Sequence, residues 1–431
     1  MKLFLQSERF RRLFKEGFWV VLGQVIAVLG SLVGIRILTG LMDPAVYGEL
    51  ALGMTVATLV NQVILGPLSN GAIRFYAPAV EKGNFSGYLN AVRRLVLFST
   101  VVIILVALFA AVGLLIVGRM TWIVILVAAF IFAVFSGYNS ILNGIQNAAR
   151  QRFVVAFHQG AEPWARFLVA AGLVIVFGST STVAMIGFSI AIIFVLASQL
   201  LFFRKIIIIN GVCVQQEKIW LKQIWNFSWP FSIFGVFTWM QLVSDRWALG
   251  IFSSMQDVGK YAALYQLGYY PISMVTGMAA QFFAPIFYQR AGDAKDNQRN
   301  DNVNMLSWRL VAFVLVGIGI VFFIALLFHS QIFLFFVAKK YSSVSFLLPW
   351  MLLSGGIFAA GQIMAINLQS QMKTREMMTA KIVTAIVGVG LNFAGAFLYG
   401  TLGIVMASIL FSLFFFIWMV ALQDKRNKIC R

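Results

Sequence analysis

The chain has 431 residues, of which 61% are hydrophobic and 11% are charged, and its mean hydropathy is +0.90. A soluble domain carries about 25% charged and 45–50% apolar residues, so this composition excludes a soluble protein. The formal net charge of +19 would suggest nucleic-acid binding in a soluble chain, but here it is first weighed against the positive-inside rule.

Apolar runs with almost no charge follow one another along the chain, and each is long enough to cross about 30 Å of hydrocarbon as a helix. In chain order we predict twelve spans, at 17–40, 46–72, 92–117, 121–147, 155–177, 182–203, 224–252, 260–287, 305–328, 345–370, 379–399 and 402–422. The stretch 330–337 is too short to cross, so we interpret it as an interfacial or re-entrant extension of the ninth span. The predicted fold class is an all-α polytopic membrane protein.

Basic residues concentrate in alternate connections between these spans. The connections between them, which are poor in basic residues, hold only Arg119, Lys260, Lys339 and Lys340. Because Lys and Arg accumulate in cytoplasmic loops, the bias predicts that both chain termini are cytoplasmic. It also accounts for most of the net charge, so we expect contacts with anionic membrane lipids and no nucleic-acid partner.

Short segments recur after about 210 residues. Leu-Val-Gly-Ile-Arg at 32–36 matches Leu-Val-Ser-Asp-Arg at 242–246, Tyr-Gly-Glu-Leu-Ala at 47–51 matches Val-Gly-Lys-Tyr-Ala at 258–262, and Phe-Tyr-Ala-Pro at 75–78 matches Phe-Phe-Ala-Pro at 282–285. Chance explains any one match, but three collinear matches favour a repeat. We predict two six-helix lobes, 1–205 and 222–431, joined by a cytoplasmic linker at 206–221. A pseudo-two-fold axis along the membrane normal would relate them, as in two-lobed transporters.

Several kinds of chemistry have no support in the sequence. His158 and His329 are far apart, and no Cys/His/carboxylate cluster has metal-ligand spacing, so we expect no metal and no cofactor. There is no phosphate-binding loop and no loop long enough for a catalytic domain, so we predict that the chain is not an enzyme. Cys213 and Cys430 both fall on the predicted cytoplasmic side, where free thiols are expected.

Four arginines lie inside or near the ends of the spans, where a charge is costly unless it is paired or hydrated. Arg36 and Arg246 occupy matching repeat positions, Arg74 lies near the inner end of the second span, and Arg166 lies midway into the fifth. These four could form a cationic patch that binds an anionic ligand. The alternative for Arg36, Arg74 and Arg246 is a side chain that extends to the headgroups, whereas Arg166 should lie well inside the hydrocarbon.

Two buried acids are candidate ion-coupling residues. Glu162 lies four residues before Arg166, so the two share a helix face. They form either a structural ion pair or a pair that opens when substrate or a coupling cation arrives. Asp245 adjoins Arg246, but helix neighbours point about 100° apart and need not pair. Asp245 is a candidate proton or sodium site, or the partner of a basic residue on another helix.

Uncharged polar residues form two further patterns. Tyr261, Tyr265 and Tyr269 make one stripe about 12 Å long on the eighth span, deeper than an interfacial belt. Because tyrosine faces suit sugars, Tyr265 and Tyr269 are candidate substrate-binding residues. Amides also cluster on the fourth and tenth spans, where they could line a hydrated chamber or bond between helices: Asn139, Asn143, Gln146 and Asn147, and Gln362, Asn367, Gln369 and Gln371. Glu49 and Lys260, at matching repeat positions, could meet when the outer side closes.

Three segments carry a family resemblance. They are Asp-Pro-Ala-Val-Tyr-Gly at 43–48, Leu-Ser-Asn-Gly-Ala-Ile-Arg-Phe-Tyr at 68–76, and Asp-Arg-Trp-Ala-Leu-Gly at 245–250 with Asp-Val-Gly-Lys-Tyr at 257–261. The chain resembles the Wzx-like polysaccharide flippases of the multidrug/oligosaccharidyl-lipid/polysaccharide exporter superfamily. The resemblance implies two six-helix bundles around a V-shaped cavity, and a role for Arg36, Arg74 and Arg246 in binding a diphosphate.

The resemblance also implies the substrate and the setting. We expect an undecaprenyl-diphosphate-linked oligosaccharide to be moved across the bacterial cytoplasmic membrane by alternating access, for O-antigen, capsule or exopolysaccharide synthesis. A polysaccharide polymerase and a chain-length regulator are the expected protein partners. Three alternatives stay open: a multidrug cation antiporter of the same superfamily, a flippase for lipid-linked peptidoglycan precursor, and a polymerase or glycosyltransferase. The buried cationic surplus disfavours the first, and the short loops disfavour the third.

Overall fold

The computed structural model describes residues 2–204, 214–292 and 296–429, and these residues form helices joined by short turns, without a strand among them. The elements are α1 (Lys2–Leu41), α2 (Pro44–Val60), a π-helical turn (Asn61–Leu65), α3 (Gly66–Glu81), α4 (Phe85–Ile116), α5 (Met120–Ala148), α6 (Arg152–Phe177), α7 (Ser181–Phe203), α8 (Val214–Phe252), α9 (Met255–Ala291), α10 (Asn297–Phe336), a 3-10 helix (Lys339–Leu347), α11 (Leu348–Ser370) and α12 (Thr374–Ile429). Cys213 and Cys430 lie outside the described residues.

Every span predicted from the sequence falls on these helices. Within the described residues, nine helical stretches are long and apolar enough to cross a membrane. Helices α8 and α9 are not among the nine, although they have 39 and 37 residues, because tryptophan, tyrosine and polar side chains lower their hydropathy. These two less apolar helices carry the candidate site described below.

Two of the longest helices bend where the sequence predicts a span to end. Helix α12 leaves helical geometry at Gly400, with φ of 57° and ψ of −131°, which lies between the predicted spans 379–399 and 402–422. A residue with a Cβ rarely adopts this conformation, so glycine is required there. Helix α10 bends at Phe328, with φ of −119°. The bend lies at the predicted end of the ninth span, and residues 330–337, the predicted extension of that span, follow it.

The chain divides into two compact units. Unit 1 comprises Met1–Met42 and Leu50–Trp239, and unit 2 comprises Asp43–Glu49 and Met240–Arg431. The division falls inside α8, and it places the start of α2 in unit 2 and the first half of α8 in unit 1. The two-lobe repeat with its linker at 206–221 stays a prediction.

The first half of α8 is held within unit 1 by its polar and aromatic residues. The Glu217 carboxylate, with a side chain 7% exposed, lies 2.8 Å from the Arg94 guanidinium of α4. The Trp220 ring meets the rings of Phe75 and Tyr88 edge-on, at centroid distances of 6.2 and 6.3 Å. Aromatic edge contacts and a nearly buried ion pair therefore fasten α8 to α3 and α4.

In unit 2, α11 is the central helix. In the apolar 18-residue stretch of the span that contains it, 72% of the residues are buried, compared with 17% for the corresponding stretch of α10. Its residues Met364 and Leu368 are fully buried in a core that also takes in Phe287 of α9, Val311 of α10 and Phe415 of α12. Because α11 is covered on several sides, polar groups on its surface face other helices rather than lipid.

Candidate ion and substrate site

Asp245 of α8 is the centre of a polar site in unit 2. The residue is 5% exposed, and both carboxylate oxygens are engaged. The Tyr261 hydroxyl of α9 donates to Oδ2 at 2.7 Å, and the Arg246 backbone N–H donates to Oδ1 at 2.7 Å. The short turn between α8 and α9 brings Asp245 and Tyr261 together, although sixteen positions separate them along the chain.

Arg246 pairs with Asp245, although neighbouring side chains on a helix point about 100° apart and need not meet. Its Nη1 lies 3.6 Å from Asp245 Oδ1 and donates to the Leu242 carbonyl at 3.0 Å. The long side chain therefore turns back along its own helix to reach the carboxylate. The guanidinium carbon also lies 4.5 Å from the centroid of the Tyr265 ring, a cation–π distance.

The tyrosine stripe predicted on the eighth span continues from this ion pair. The Tyr261 and Tyr265 rings lie 6.2 Å apart, and Tyr265 stacks on Tyr269 at a centroid distance of 5.0 Å. Tyr269 meets Phe358 of α11 at 6.1 Å. The stripe is thus a connected row of rings that begins at Arg246 and reaches α11, while its role in substrate binding stays a prediction.

A small cavity lies against Asp245, lined by Gln241, Leu242, Asp245, Tyr261, Tyr265, Tyr269, Ser354, Gly388, Asn392, Ser408, Phe411 and Ser412. Its volume is about 40 Å³, which is room for a few water molecules. It is therefore sized for a hydrated ion, and not for an oligosaccharide.

Sequence reasoning missed the polar residues that α11 and α12 bring to this cavity. The Asn392 amide donates to Ser244 Oγ at 2.8 Å, and the Ser354 and Ser412 hydroxyls lie 3.0 Å apart. Each is a single polar residue in an apolar run, so no local pattern marks it. The only signal was their depth, since lone hydroxyls and amides in a span usually bond to another helix.

The remaining charged candidates lie in unit 1. Arg36 on α1 and Arg74 on α3 are exposed, and their binding role stays a prediction. The predicted pair of Glu162 and Arg166 forms on α6, with Nη1 3.6 Å from Oε1. The Arg166 guanidinium also lies over Phe167 and over Phe188 of α7, at 5.1 and 5.4 Å. This packing between helices of one unit favours the structural interpretation of the pair.

Part of each amide cluster bonds between helices. In unit 1 the Gln199 amide of α7 donates to Asn143 and Gln146 of α5, at 2.7 and 2.8 Å. In unit 2 Asn367 of α11 and Gln371, directly after α11, both donate to Asn304 of α10, at 2.8 and 2.7 Å. For these residues the structure favours interhelical bonding over a hydrated chamber.

The predicted outer rim carries a different ion pair from the one expected. Lys340 of the 3-10 helix donates to Asp43 Oδ1 at 3.0 Å, and Tyr47 meets Tyr341 edge-on at 5.9 Å. These contacts fasten the start of α2 within unit 2. A pairing of Glu49 with Lys260 stays a prediction.

Among the described residues, no group of three or more His, Cys, Asp or Glu could hold a metal. Asp245 is the one carboxylate among the residues that line its cavity. An ion bound there would rely on neutral oxygens for its other ligands, which suits a proton or a monovalent cation better than a divalent metal.

Several solved structures share the fold of this chain. The fold matches an inward-facing multidrug resistance MATE family transporter of the MOP superfamily, with a TM-score of 0.68, 13% identity, and coverage of 94% of this chain and 96% of that one. It also matches the inward closed conformation of the lipid II flippase MurJ, with a TM-score of 0.69, 13% identity, and coverage of 95% and 87%. A MOP superfamily transporter from Pyrococcus furiosus matches with a TM-score of 0.57, 14% identity and 94% coverage of both chains.

At these identities the likeness establishes the fold alone, an all-helical multi-pass membrane fold. The sequence pattern of the family described as polysaccharide biosynthesis protein matches residues 13–291, which is more than half of the chain. The chain therefore belongs to the polysaccharide biosynthesis protein family, which confirms the family resemblance found in the sequence. This is a family of transporters and not of enzymes. A comparison with curated protein sequences finds no match.

Proposed function

We propose that the chain is a flippase that moves undecaprenyl-diphosphate-linked oligosaccharides across the bacterial cytoplasmic membrane by alternating access. Membership of the polysaccharide biosynthesis family supports the substrate class. The observation that carries the proposal is Arg246, a guanidinium with a side chain 15% exposed that adjoins a row of tyrosines. A diphosphate needs such a cation because it cannot cross hydrocarbon unaided, and arginine binds two phosphate oxygens at once.

The proposed architecture has twelve spans in two six-helix lobes with both termini in the cytoplasm. The nine apolar stretches, the two long helices α8 and α9, and the bend of α12 at Gly400 support this number. Arg36, Arg74 and Arg166 are the other proposed contacts for the anionic substrate. A polymerase and a chain-length regulator would receive the product on the outer side.

Ion coupling is proposed at Asp245, with Glu162 as a second candidate. A proton or monovalent cation on Asp245 would compete with Arg246 for the carboxylate, and a phosphate on Arg246 would compete with Asp245 for the guanidinium. Each ligand therefore frees the partner that the other one needs. By thermodynamic linkage, each should raise the affinity of the other by the same factor.

A multidrug antiporter and a peptidoglycan-precursor flippase are the alternatives, and the fold likeness to MATE and MurJ does not separate them. The Arg246 guanidinium favours a diphosphate lipid over a cationic drug. A cationic drug would meet Arg246 beside its aromatic rings, whereas either diphosphate lipid would be attracted to it. The two lipids differ in the sugars that they carry.

The direct test is transport by the purified full chain in proteoliposomes. Undecaprenyl-diphosphate oligosaccharide is placed in one leaflet, and its appearance in the other leaflet is followed with a membrane-impermeant lectin. We expect transport with the wild type, a loss of at least tenfold with Arg246→Ala, and partial retention with Arg246→Lys. Arg119→Ala, in the turn after α4, is the matched control with full activity. Wild-type liposomes that transport no faster than empty ones would overturn the proposal.

A further inference from the structure

A second cavity lies between α9 and α11 and shares Tyr269 with the cavity at Asp245. Its lining is Tyr269, Ser273, Thr276, Gly277 and Ala280 from α9, and Gly355, Phe358, Gln362 and Ile366 from α11. These positions recur every three or four residues, so each helix contributes one face. The cavity has a volume of about 220 Å³, and one water molecule occupies about 10–15 Å³ of such a volume. It therefore has room for a ring-sized ligand.

The polar groups of this cavity are set to bind a ligand that both donates and accepts hydrogen bonds. Ser273 and Thr276 donate their hydroxyl hydrogens to the carbonyls of Tyr270 and Ile272, at 2.8 and 2.7 Å. Their oxygens therefore remain as acceptors. Among the described residues, the Gln362 amide and the Tyr269 hydroxyl have no hydrogen-bond partner. The half-buried Gln362 amide is therefore available to donate to and accept from a ligand in the cavity.

We propose that this cavity binds a sugar ring, specifically the sugar attached directly to the diphosphate of the transported lipid. The proposal rests on the proposed function and assigns the sugar end of the same substrate. The ring row connects the two ends, since Arg246 lies 4.5 Å from the Tyr265 ring and Tyr265 lies 5.0 Å from the Tyr269 ring. If the diphosphate binds at Arg246, the sugar attached to it can extend along the tyrosine rings to Tyr269 and into the second cavity.

The lining chemistry selects a sugar over other occupants. None of the described residues that line the cavity is charged, so the diphosphate itself would be poorly held there. A lipid chain would leave the Gln362 amide without a partner. A sugar presents hydroxyls to the serine, threonine and glutamine, and its apolar face can pack on the Tyr269 and Phe358 rings.

The test compares two probe lipids on the purified full chain in nanodiscs: undecaprenyl diphosphate, and undecaprenyl diphosphate carrying N-acetylglucosamine or galactose. Gln362→Met keeps the side-chain length and removes the hydrogen bonds. Gln369→Met is the matched control on the same helix, where the amide oxygen accepts from Tyr288 outside the cavity. Dissociation constants are measured for both lipids with each variant, and thermal unfolding is recorded in parallel.

We expect Gln362→Met to weaken binding of the sugar-bearing lipids about tenfold, or ~1.4 kcal/mol, and to leave the sugar-free lipid unchanged. Thr276→Val should act in the same direction. Because Gln362 has no hydrogen-bond partner among the residues that the structure describes, the unfolding temperature should not fall. Equal effects on both lipids, or tenfold weakening by the Gln369 control, would overturn the sugar site while the flippase proposal stands. A wild type that binds neither lipid would instead refute the proposed function itself.

Discussion

Asp245 shows how an acid is accommodated at bilayer depth. Its carboxylate accepts from Tyr261 and from the Arg246 backbone, and the Arg246 guanidinium supplies the opposite charge. Removing one partner from such a site costs more than the pair contributes, because it leaves a charge without compensation. The individual residues of the site therefore make different contributions that stability measurements can separate.

Tyr261→Phe removes one hydrogen bond to the carboxylate and keeps the ring in place. A hydrogen bond to a charged group contributes about 1.5–3 kcal/mol, so we expect a clear fall in the unfolding temperature of the purified protein in detergent. Tyr399→Phe is the control, because Tyr399 is 68% exposed. Equal unfolding temperatures for the two variants would show that the Tyr261 hydroxyl does not support Asp245.

Arg246→Met tests the ion pair. It leaves Asp245 as a buried carboxylate without a cation, which should cost about 3–5 kcal/mol. Adding Asp245→Asn removes the stranded charge, so the double variant should be more stable than Arg246→Met alone. Thermal unfolding of the two single variants and the double variant forms a double-mutant cycle. Additive effects would mean that the two side chains are not coupled.

At the scale of elements, the N-terminal ends of α2 and α9 approach each other through a pair of glycines within unit 2. A Cβ at Gly48 would meet the Met255 carbonyl oxygen, and one at Gly259 would meet the Pro44 carbonyl oxygen. Gly48 and Gly259 are also matching positions of the sequence repeat. Glycine at both positions permits a backbone contact that the Asp43–Lys340 pair then reinforces.

Gly259→Ala should destabilise the protein by about 1–3 kcal/mol, the cost of inserting a group into a packed contact. Gly317→Ala in α10 is the matched control, because a Cβ there has open space within 4 Å. An alanine in a helix interior is favoured over glycine by about 0.5–1 kcal/mol, so the control should be neutral or slightly stabilising. If both variants unfold at the same temperature, the close approach of α2 and α9 is not tight.

At the scale of the whole molecule, the helices and the tyrosine stripe could be predicted from the sequence because both depend on local order. Apolar runs predicted the spans, the gap between spans 379–399 and 402–422 coincides with the bend of α12 at Gly400, and the four-residue spacing of Tyr265 and Tyr269 placed them on one face. The convergence of Asn392 and Ser412 on the site could not be predicted. It depends on how α11 and α12 pack, and a single polar residue in an apolar run carries no such information.

The grouping of chain segments into units was equally hidden from the sequence. By packing, unit 1 includes α8 as far as Trp239 and unit 2 includes Asp43–Glu49, while the two lobes of the repeat, joined by a linker at 206–221, stay a prediction. Sequence similarity reports the ancestry and topology of a segment. Packing depends on which side chains, such as Glu217 and Trp220, find partners on other helices.

The orientation in the membrane is a whole-molecule prediction that the two native cysteines can test. The alternation of basic connections places Cys213 and Cys430 on the cytoplasmic side, because positively charged segments are retained there during insertion. A membrane-impermeant maleimide should therefore label both cysteines in inverted membrane vesicles and neither in right-side-out vesicles.

In a variant with Cys213→Ser and Cys430→Ser, Arg119→Cys in the exposed turn after α4 should give the opposite pattern. Labelling of all three positions from one side would contradict the topology, since an odd number of spans separates Arg119 from each native cysteine in the twelve-span arrangement. It would also remove the basis for placing Lys340 and Asp43 at the outer face, because their side of the membrane follows from the same count.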